Sequence, residues 1–228
     1  MTHAIVREVR AALGAHADPA RAPRMQAYMK SAMPFRGVPS TVQKRLYRGI
    51  FAEHAAMTCE ERRAVARELF TKAKFREERY AALALTDQRR HVTCQSMEAM
   101  PLYEEMIVLG AWWDIVDWVA GHHLGDVLRN EPAPMTRRMK RWAKDPHLWK
   151  RRAAILCQLR MKEDTDLDLL YACIAPNVAD EDFFMRKAIG WALRQYAWTD
   201  PREVKRWVTA HRAELSPLSV REALKHVG

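Results

Sequence analysis

The chain has 228 residues, of which 49% are hydrophobic, 29% are charged and only 8 are glycine. This length allows one elongated domain or two small ones, and the scarcity of glycine disfavours disorder and turn-dense β-sandwiches or barrels. Lys and Arg outnumber Asp and Glu by 38 to 28, giving a net charge of +10 that favours an anionic partner such as nucleic acid or an acidic membrane.

Apolar residues recur at spacings of three and four along nearly the whole chain, which predicts helices and no convincing strand. Capping residues and prolines mark several helix starts. The clearest of these starts are Pro39-Ser40-Thr41, a capping box from Thr58 to Glu61, Asp200-Pro201 and Ser216-Pro217. Many short helices with short links predict stacked antiparallel pairs, an all-α solenoid of HEAT-like type.

The cysteines and histidines give no sign of a metal site. Four cysteines lie far apart without a CxxC pair, so we expect free thiols and neither a zinc site nor a disulfide framework. The adjacent His122 and His123 point about 100° apart on a helix, which is poor geometry for one metal. No signal peptide and no apolar run of ~18 residues is present, so we expect a soluble cytoplasmic protein.

The segment from Trp112 to Trp118 combines indoles with carboxylates. On a helix Trp113 and Asp117 are four residues apart and share a face, while Asp114 is offset and suited to capping. A carboxylate beside an electron-rich indole stabilises a cationic centre. The alternative is that the tryptophans belong to the core and the aspartates serve as caps or in ion pairs.

A basic segment follows. Residues 129–162 contain eleven Lys and Arg residues against only two acidic residues, Glu131 and Asp145. The segment is also amphipathic, so its bases are expected on the outward faces of two successive helices. These cations form either a surface that is simply solvated or a positively charged surface that binds phosphates.

The segment from Phe183 to Arg194 holds a tryptophan framed by cations. Lys187, Trp191 and Arg194 lie at i, i+4 and i+7 and share one face. Gly190 inside this helical run predicts either a close helix approach or an open surface beside Trp191. Core packing with a basic rim and a nucleic-acid contact are both consistent with this pattern.

The three clusters resemble, in their order and spacing, the AlkD-like DNA alkylation repair family, which are DNA glycosylases built from HEAT-like repeats. The matching segments cover essentially the whole chain: Ala27 to Lys30, Phe35 to Pro39, Trp112 to Asp117, Arg152 to Leu159, Phe183 to Arg194 and Leu215 to His226. The resemblance implies a single curved all-α domain over residues 1–228, with duplex DNA held in its basic concave face.

By the same resemblance, the activity is hydrolysis of the N-glycosidic bond of purines alkylated at N3 or N7, which leaves an abasic site. Asp117 would stabilise the oxocarbenium-like sugar and position water, while Trp113 and Trp191 would pack against the deoxyribose of the lesion. Because an N3- or N7-alkylpurine is already cationic, it leaves without a general acid, and no metal or other cofactor is required.

The expected DNA contacts come from several segments. Arg152 would hold the phosphate backbone and Tyr28 would lie near the lesion, and the neighbouring cations Arg151, Lys187 and Arg194 complete the expected DNA-binding set. The expected partner is double-stranded DNA containing alkylated purines, bound by a monomer that associates with the nucleoid. The range of adducts, from methyl to bulky groups, is left open, as is base flipping.

Two other functions are consistent with parts of the pattern. A HEAT-type solenoid without catalysis would be a binding scaffold for protein or nucleic acid, and such a scaffold has no need of Asp117 beside Trp113. A peripheral membrane protein would use the basic segment instead. Three further tryptophans have no place in the family pattern: Trp118, Trp142 and Trp198.

Overall fold

The computed structural model describes residues 3–87 and 89–227, leaving aside the side chains of Arg89 and Arg90. Over these residues the protein is all-helical and has no β-strand, which confirms the predicted class. The α-helices are α1 (Ala4–Ala15), α2 (Ala22–Met29), α3 (Ser40–Glu53), α4 (Cys59–Thr71), α5 (Arg76–Thr86), α6 (Met100–Gly110), α7 (Trp113–Trp118), α8 (Gly125–Asn130), α9 (Pro132–Trp142), α10 (Leu148–Leu156), α11 (Leu167–Ile174), α12 (Phe183–Ala197), α13 (Pro201–Ala210) and α14 (Pro217–Ala223).

Three of the predicted helix starts have the expected side-chain caps. Thr58 and Glu61 form a reciprocal capping box at the start of α4. The Asp200 side chain accepts the Glu203 backbone N–H at the start of α13, and Ser216 accepts the Ser219 N–H at the start of α14. These bonds satisfy backbone donors that have no partner inside the helix. Within the described residues, no helix is both long and apolar enough to cross a membrane.

The chain divides into two compact units, and the first unit ends at Cys94. In this unit α1 packs against α3, α4 and α5, and α4 packs against α5. The carboxylate of Glu77 is completely buried and accepts the backbone N–H groups of Arg36, Gly37 and Val38 at 3.0 to 3.3 Å. Gly37 has φ +83°, and a Cβ there would lie 2.2 Å from the Asp18 carbonyl oxygen. The loop before α3 therefore depends on Glu77 and on a glycine at this position.

A disulfide in the first unit corrects the expectation of four free thiols. The sulfurs of Cys59 and Cys94 are bonded, whereas Cys157 and Cys173 are free and buried. Cys59 is the first residue of α4, and Cys94 ends the short 3₁₀ segment that closes the unit. The fold brings together two residues 35 positions apart, and no local spacing in the sequence indicates such a pair.

The second unit begins at Gln95 and contains two sets of packed helices. In one set α7 packs against α10, α10 against α12, and α12 against α14. In the other set α9 packs against α11, and both also pack against α10. A π-helical turn, Val119–Leu124, links α7 to α8. The predicted catalytic residues Trp113, Asp117 and Trp191 all lie on the first set.

Candidate active site

Asp117 and Arg152 form a two-point ion pair between α7 and α10. Arg152 Nε donates to Asp117 Oδ1 at 2.7 Å, and Nη2 donates to Oδ2 at 2.8 Å. Two parallel charge-assisted bonds fix the plane of a carboxylate as well as its position. The packing of α7 against α10 thus holds Asp117 in one orientation.

Arg152 is itself held by the protein. Its side chain is only 5% exposed, and its Nη1 donates to the carbonyl oxygen of Phe184 near the start of α12. The guanidinium also lies 5.9 Å from the centre of the Phe184 ring. Three of the five guanidinium N–H hydrogens are thereby directed at Asp117 and Phe184. The predicted phosphate contact of Arg152 stays a prediction, while the observed contacts join α7, α10 and α12.

The Asp117 carboxylate is mostly enclosed but keeps 13% of its side chain exposed. Burial raises the pKa of Asp117 above its ordinary value, and the hydrogen bonds and charge of Arg152 act in the opposite direction. The charge of Asp114 adds a smaller increase to this pKa. The guanidinium of Arg152 is always charged and therefore favours the ionised form of Asp117. The site therefore presents an oriented, accessible negative charge.

The tryptophans fall into two groups. Six of them contact another ring or a cation: Trp112, Trp118, Trp142, Trp149, Trp198 and Trp207. Among the described residues, Trp113 and Trp191 make no ring contact, and both indoles are partly exposed. Trp113 begins α7 one turn before Asp117, and Trp191 lies on α12, which packs against α10. Within the part of the chain that the structure describes, these two tryptophans therefore combine partial exposure with faces that no other ring occupies.

The three tryptophans outside the family pattern all belong to the group that contacts another ring or a cation. Trp118 stacks on His122 at 5.3 Å between ring centres, and Trp198 packs on His226 at 5.1 Å. Trp142 is buried in the core beneath Lys150, whose amino group lies 5.6 Å from the ring centre. All three therefore have contacts within the protein.

The cations on either side of Trp191 are both engaged by α14. Lys187 Nζ lies 3.0 Å from Glu222 Oε1, and Arg194 Nη1 bonds Glu222 Oε2. These two bonds lower the pKa of Glu222 below its ordinary value. A Cβ on Gly190 would lie only 2.5 Å from Glu222 Cβ, so the predicted close helix approach is confirmed.

The remaining predicted DNA contacts lie elsewhere. Arg151 Nη2 pairs with Asp180 Oδ2 at 2.8 Å, and its Nη1 donates to the carbonyl oxygens of Asp145 and Pro146. Tyr28 belongs to the first unit, on α2, and is 77% exposed. Its predicted place near the lesion stays a prediction, as do the DNA contacts of the four cations.

Three residues that shape the site escaped the sequence analysis: Phe184, Asp180 and Glu222. Phe184 contributes a backbone carbonyl to Arg152, and its ring packs between Trp112 and Trp149 at 5.2 and 5.1 Å. Asp180 and Glu222 each hold a predicted DNA-binding cation. Their partners lie 28 to 35 residues away, beyond any helical spacing, so only the packed structure identifies them.

The adjacent histidines are used in packing. His122 stacks on Trp118, while His123 lies 4.7 Å from the Tyr103 ring. Over the part of the chain that the structure describes, no group of three or more His, Cys, Asp or Glu side chains is arranged to hold a metal ion.

Nearly the whole chain is similar to one protein family and to a solved structure. Residues 9–227 match the family model described as DNA alkylation repair enzyme. A solved structure from Enterococcus faecalis, described as a predicted DNA alkylation repair enzyme, superposes with a TM-score of 0.83 at 30% sequence identity. The match covers 93% of this chain and 97% of that one. A search of curated proteins finds no significant match. Since the family model spans both units and the fold agrees over nearly the full length, the chain belongs to the DNA alkylation repair enzyme family.

Proposed function

We propose that this protein is a monofunctional DNA glycosylase that acts on purines alkylated at N3 or N7 in duplex DNA. The observation that carries the proposal is the Asp117 carboxylate, which Arg152 orients and which stays partly accessible. The family supports DNA alkylation repair as the setting. Trp113 and Trp191, whose indoles contact no other ring among the described residues, supply surfaces for the sugar.

The proposed reaction needs negative charge more than it needs a proton donor. When the C1′–N bond breaks, its electron pair leaves with the cationic alkylpurine, which becomes neutral. The sugar becomes an oxocarbenium-like cation, which the ionised Asp117 stabilises electrostatically. Water then adds to C1′, and Asp117 accepts the proton that this water loses. The product is an abasic site and a free base.

The neighbouring groups would have distinct tasks in this reaction. Arg152 keeps the carboxylate of Asp117 facing the sugar, and any phosphate contact would come in addition. The faces of Trp113 and Trp191 would attract the cationic sugar through their negative ring potential. Alkylpurines that carry no positive charge should be poor substrates, because they leave without the electrostatic assistance that a cationic base provides.

The direct test is the release of 7-methylguanine and 3-methyladenine from methylated duplex DNA. We expect Asp117→Asn to lower the rate by on the order of 10²-fold, because the amide keeps the shape but removes the charge. The matched control is Asp126→Asn, which removes another arginine-paired aspartate of the same unit and should keep the wild-type rate. All proteins are assayed with chelator present and after circular dichroism confirms folding.

Two results would contradict the proposal. The first is base release by Asp117→Asn at the wild-type rate. The second is duplex binding without release of any alkylated base by the wild type, across methyl and bulky adducts, which would instead indicate a binding scaffold.

A further inference from the structure

The structure divides the basic segment of residues 129–162 into paired and unpaired cations. Six of its cations bind partners on the protein: Arg129 binds Asp126, Arg138 and Lys150 bind Glu104, Arg151 binds Asp180, Arg152 binds Asp117, and Arg160 binds His122. In five of the six the partner is a carboxylate, which offsets the charge of the cation, whereas the partner of Arg160 is an imidazole ring.

Four others form one exposed face, which we call the α9 basic face: Arg137, Lys140, Arg141 and Lys144. They follow the spacing i, i+3, i+4, i+7 and so lie along one side of α9 and of the turn after it. Among the described residues, none of the four makes an ion pair or hydrogen bond through its side chain.

The α9 basic face points away from the candidate active site. The opposite side of α9 buries Met135, Met139 and Trp142 against the core, where the helix packs on α8, α10 and α11. Arg152 lies on α10, which packs against the buried side of α9. The four cations lie on the opposite, exposed side of α9. They are thus separate from the Asp117 carboxylate.

Folding alone does not account for this cluster. The helix dipole favours Lys140 and Arg141 in the last turn, but it does not explain Arg137, which lies earlier, or Lys144, which lies beyond the helix. Cations four residues apart repel each other and destabilise a helix. On α12 the carboxylate of Glu222 offsets such repulsion, whereas the α9 basic face has no equivalent among the described residues. A surface of this kind suits an external anion.

We propose that the α9 basic face binds the phosphodiester backbone of duplex DNA, as a second contact separate from the active site. From Arg137 to Lys144 the face is about 10 Å long. A duplex carries one negative charge per about 1.7 Å of its axis, so several phosphates fall within this length. α11, which packs against α9, carries the exposed Asp168, and the exposed Asp164 precedes it, so the basic face does not continue onto α11. The choice of DNA as the polyanion rests on the proposed function, but the binding does not depend on base release.

The test compares two variants with the same loss of charge. The test variant replaces the α9 basic face with glutamine (R137Q, K140Q, R141Q, K144Q). The control variant replaces four exposed cations from different parts of the chain with glutamine (R48Q, K74Q, R212Q, K225Q). All eight positions are at the surface, and circular dichroism checks folding. The Kd for a short unmodified duplex is measured by fluorescence anisotropy at a series of NaCl concentrations.

Each phosphate contact contributes about 0.9 to the slope of log affinity against log salt. We therefore expect the test variant to lose up to about 3.6 units of slope if all four cations contact phosphates, and the control variant to keep the wild-type slope. A second readout is capture of a fluorescent duplex by a protein already bound to a biotinylated duplex. Wild type and Asp117→Asn should both bridge the two duplexes, and the test variant should not.

Several outcomes would overturn the inference. They are an unchanged slope in the test variant, an equal loss in the control variant, and a wild type that binds no duplex. A test variant that loses binding only to phosphatidylglycerol vesicles would assign the face to a membrane instead. If base release does not depend on Asp117 but the test variant still has a reduced slope, the proposed function is refuted and this inference stands.

Discussion

Two enclosed carboxylates, Glu77 in the first unit and Asp117 in the second, are held in different ways. Glu77 is completely buried and accepts three backbone N–H groups of a loop. Asp117 is held by one side chain, Arg152, and keeps 13% of its own side chain exposed. Complete burial among fixed backbone donors serves stability, because both carboxylate oxygens accept hydrogen bonds within the fold. Orientation with partial exposure leaves a charge available for a substrate.

The tryptophans show the same contrast. Trp149 is 8% exposed and packs against Trp112 and Phe184. Trp191 is partly exposed and, over the described residues, contacts no other aromatic ring. In both comparisons the residue assigned to chemistry is the one that the fold leaves accessible. Substitution of the accessible residue should mainly lower the rate of base release, and substitution of the packed residue should mainly lower stability.

The largest effect on stability is expected for Glu77→Ala. Removing this carboxylate leaves three enclosed backbone N–H groups without an acceptor, which we expect to lower the free energy of unfolding by about 3 to 5 kcal/mol. Glu77→Gln keeps one acceptor oxygen and should lose less. Urea denaturation measures both variants. Base release by the folded protein should change far less than it does in Asp117→Asn, and the reverse pattern would contradict the distinction between the two carboxylates.

A smaller and different effect is expected for Trp191→Ala. If its indole packs on the deoxyribose, the single-turnover rate of base release should fall by about tenfold, with a modest change in stability. Trp149→Ala is the matched control, because removing a packed indole should cost about 3 kcal/mol of stability or more. Rates and thermal melts are measured together. A large loss of stability in Trp191→Ala with an unchanged rate would assign this indole to the core.

The smallest effect is a shift in pH dependence. Only ionised Asp117 stabilises the sugar cation, so the rate should fall as pH drops through the pKa of Asp117. Since burial raises this pKa, the midpoint should lie above the ordinary value of about 3.9. Arg152→Lys removes one of the two donors and should move the midpoint higher. The rate is measured from pH ~4 to ~8 with spontaneous depurination subtracted, and an Arg152→Lys profile identical to wild type would contradict the positioning role.

Local signals in the sequence predicted much of the fold. The caps at Thr58, Asp200 and Ser216 depend on neighbouring residues and are confirmed. Gly190 indicated either a close helix approach or an open surface beside Trp191, and the contact with α14 shows that the close approach is correct.

Contacts between distant segments could not be predicted in this way. The Asp117–Arg152 pair joins residues 35 apart, and the Cys59–Cys94 disulfide has the same separation. Both depend on how helices pack, which helical spacing does not determine. The basic segment illustrates the limit most clearly, because only the packed structure separates its internally paired cations from the α9 basic face.

The most direct test of the central claim is the rate at which folded Asp117→Asn releases 7-methylguanine from duplex DNA, measured by mass spectrometry beside its melting temperature. We expect a rate on the order of 10²-fold below wild type for protein that is still folded at the assay temperature. The melting temperature should fall as well, because the amide leaves one donor of the buried Arg152 without an acceptor. An unchanged rate, or a loss of rate that only follows unfolding, would show that Asp117 is a structural carboxylate like Glu77.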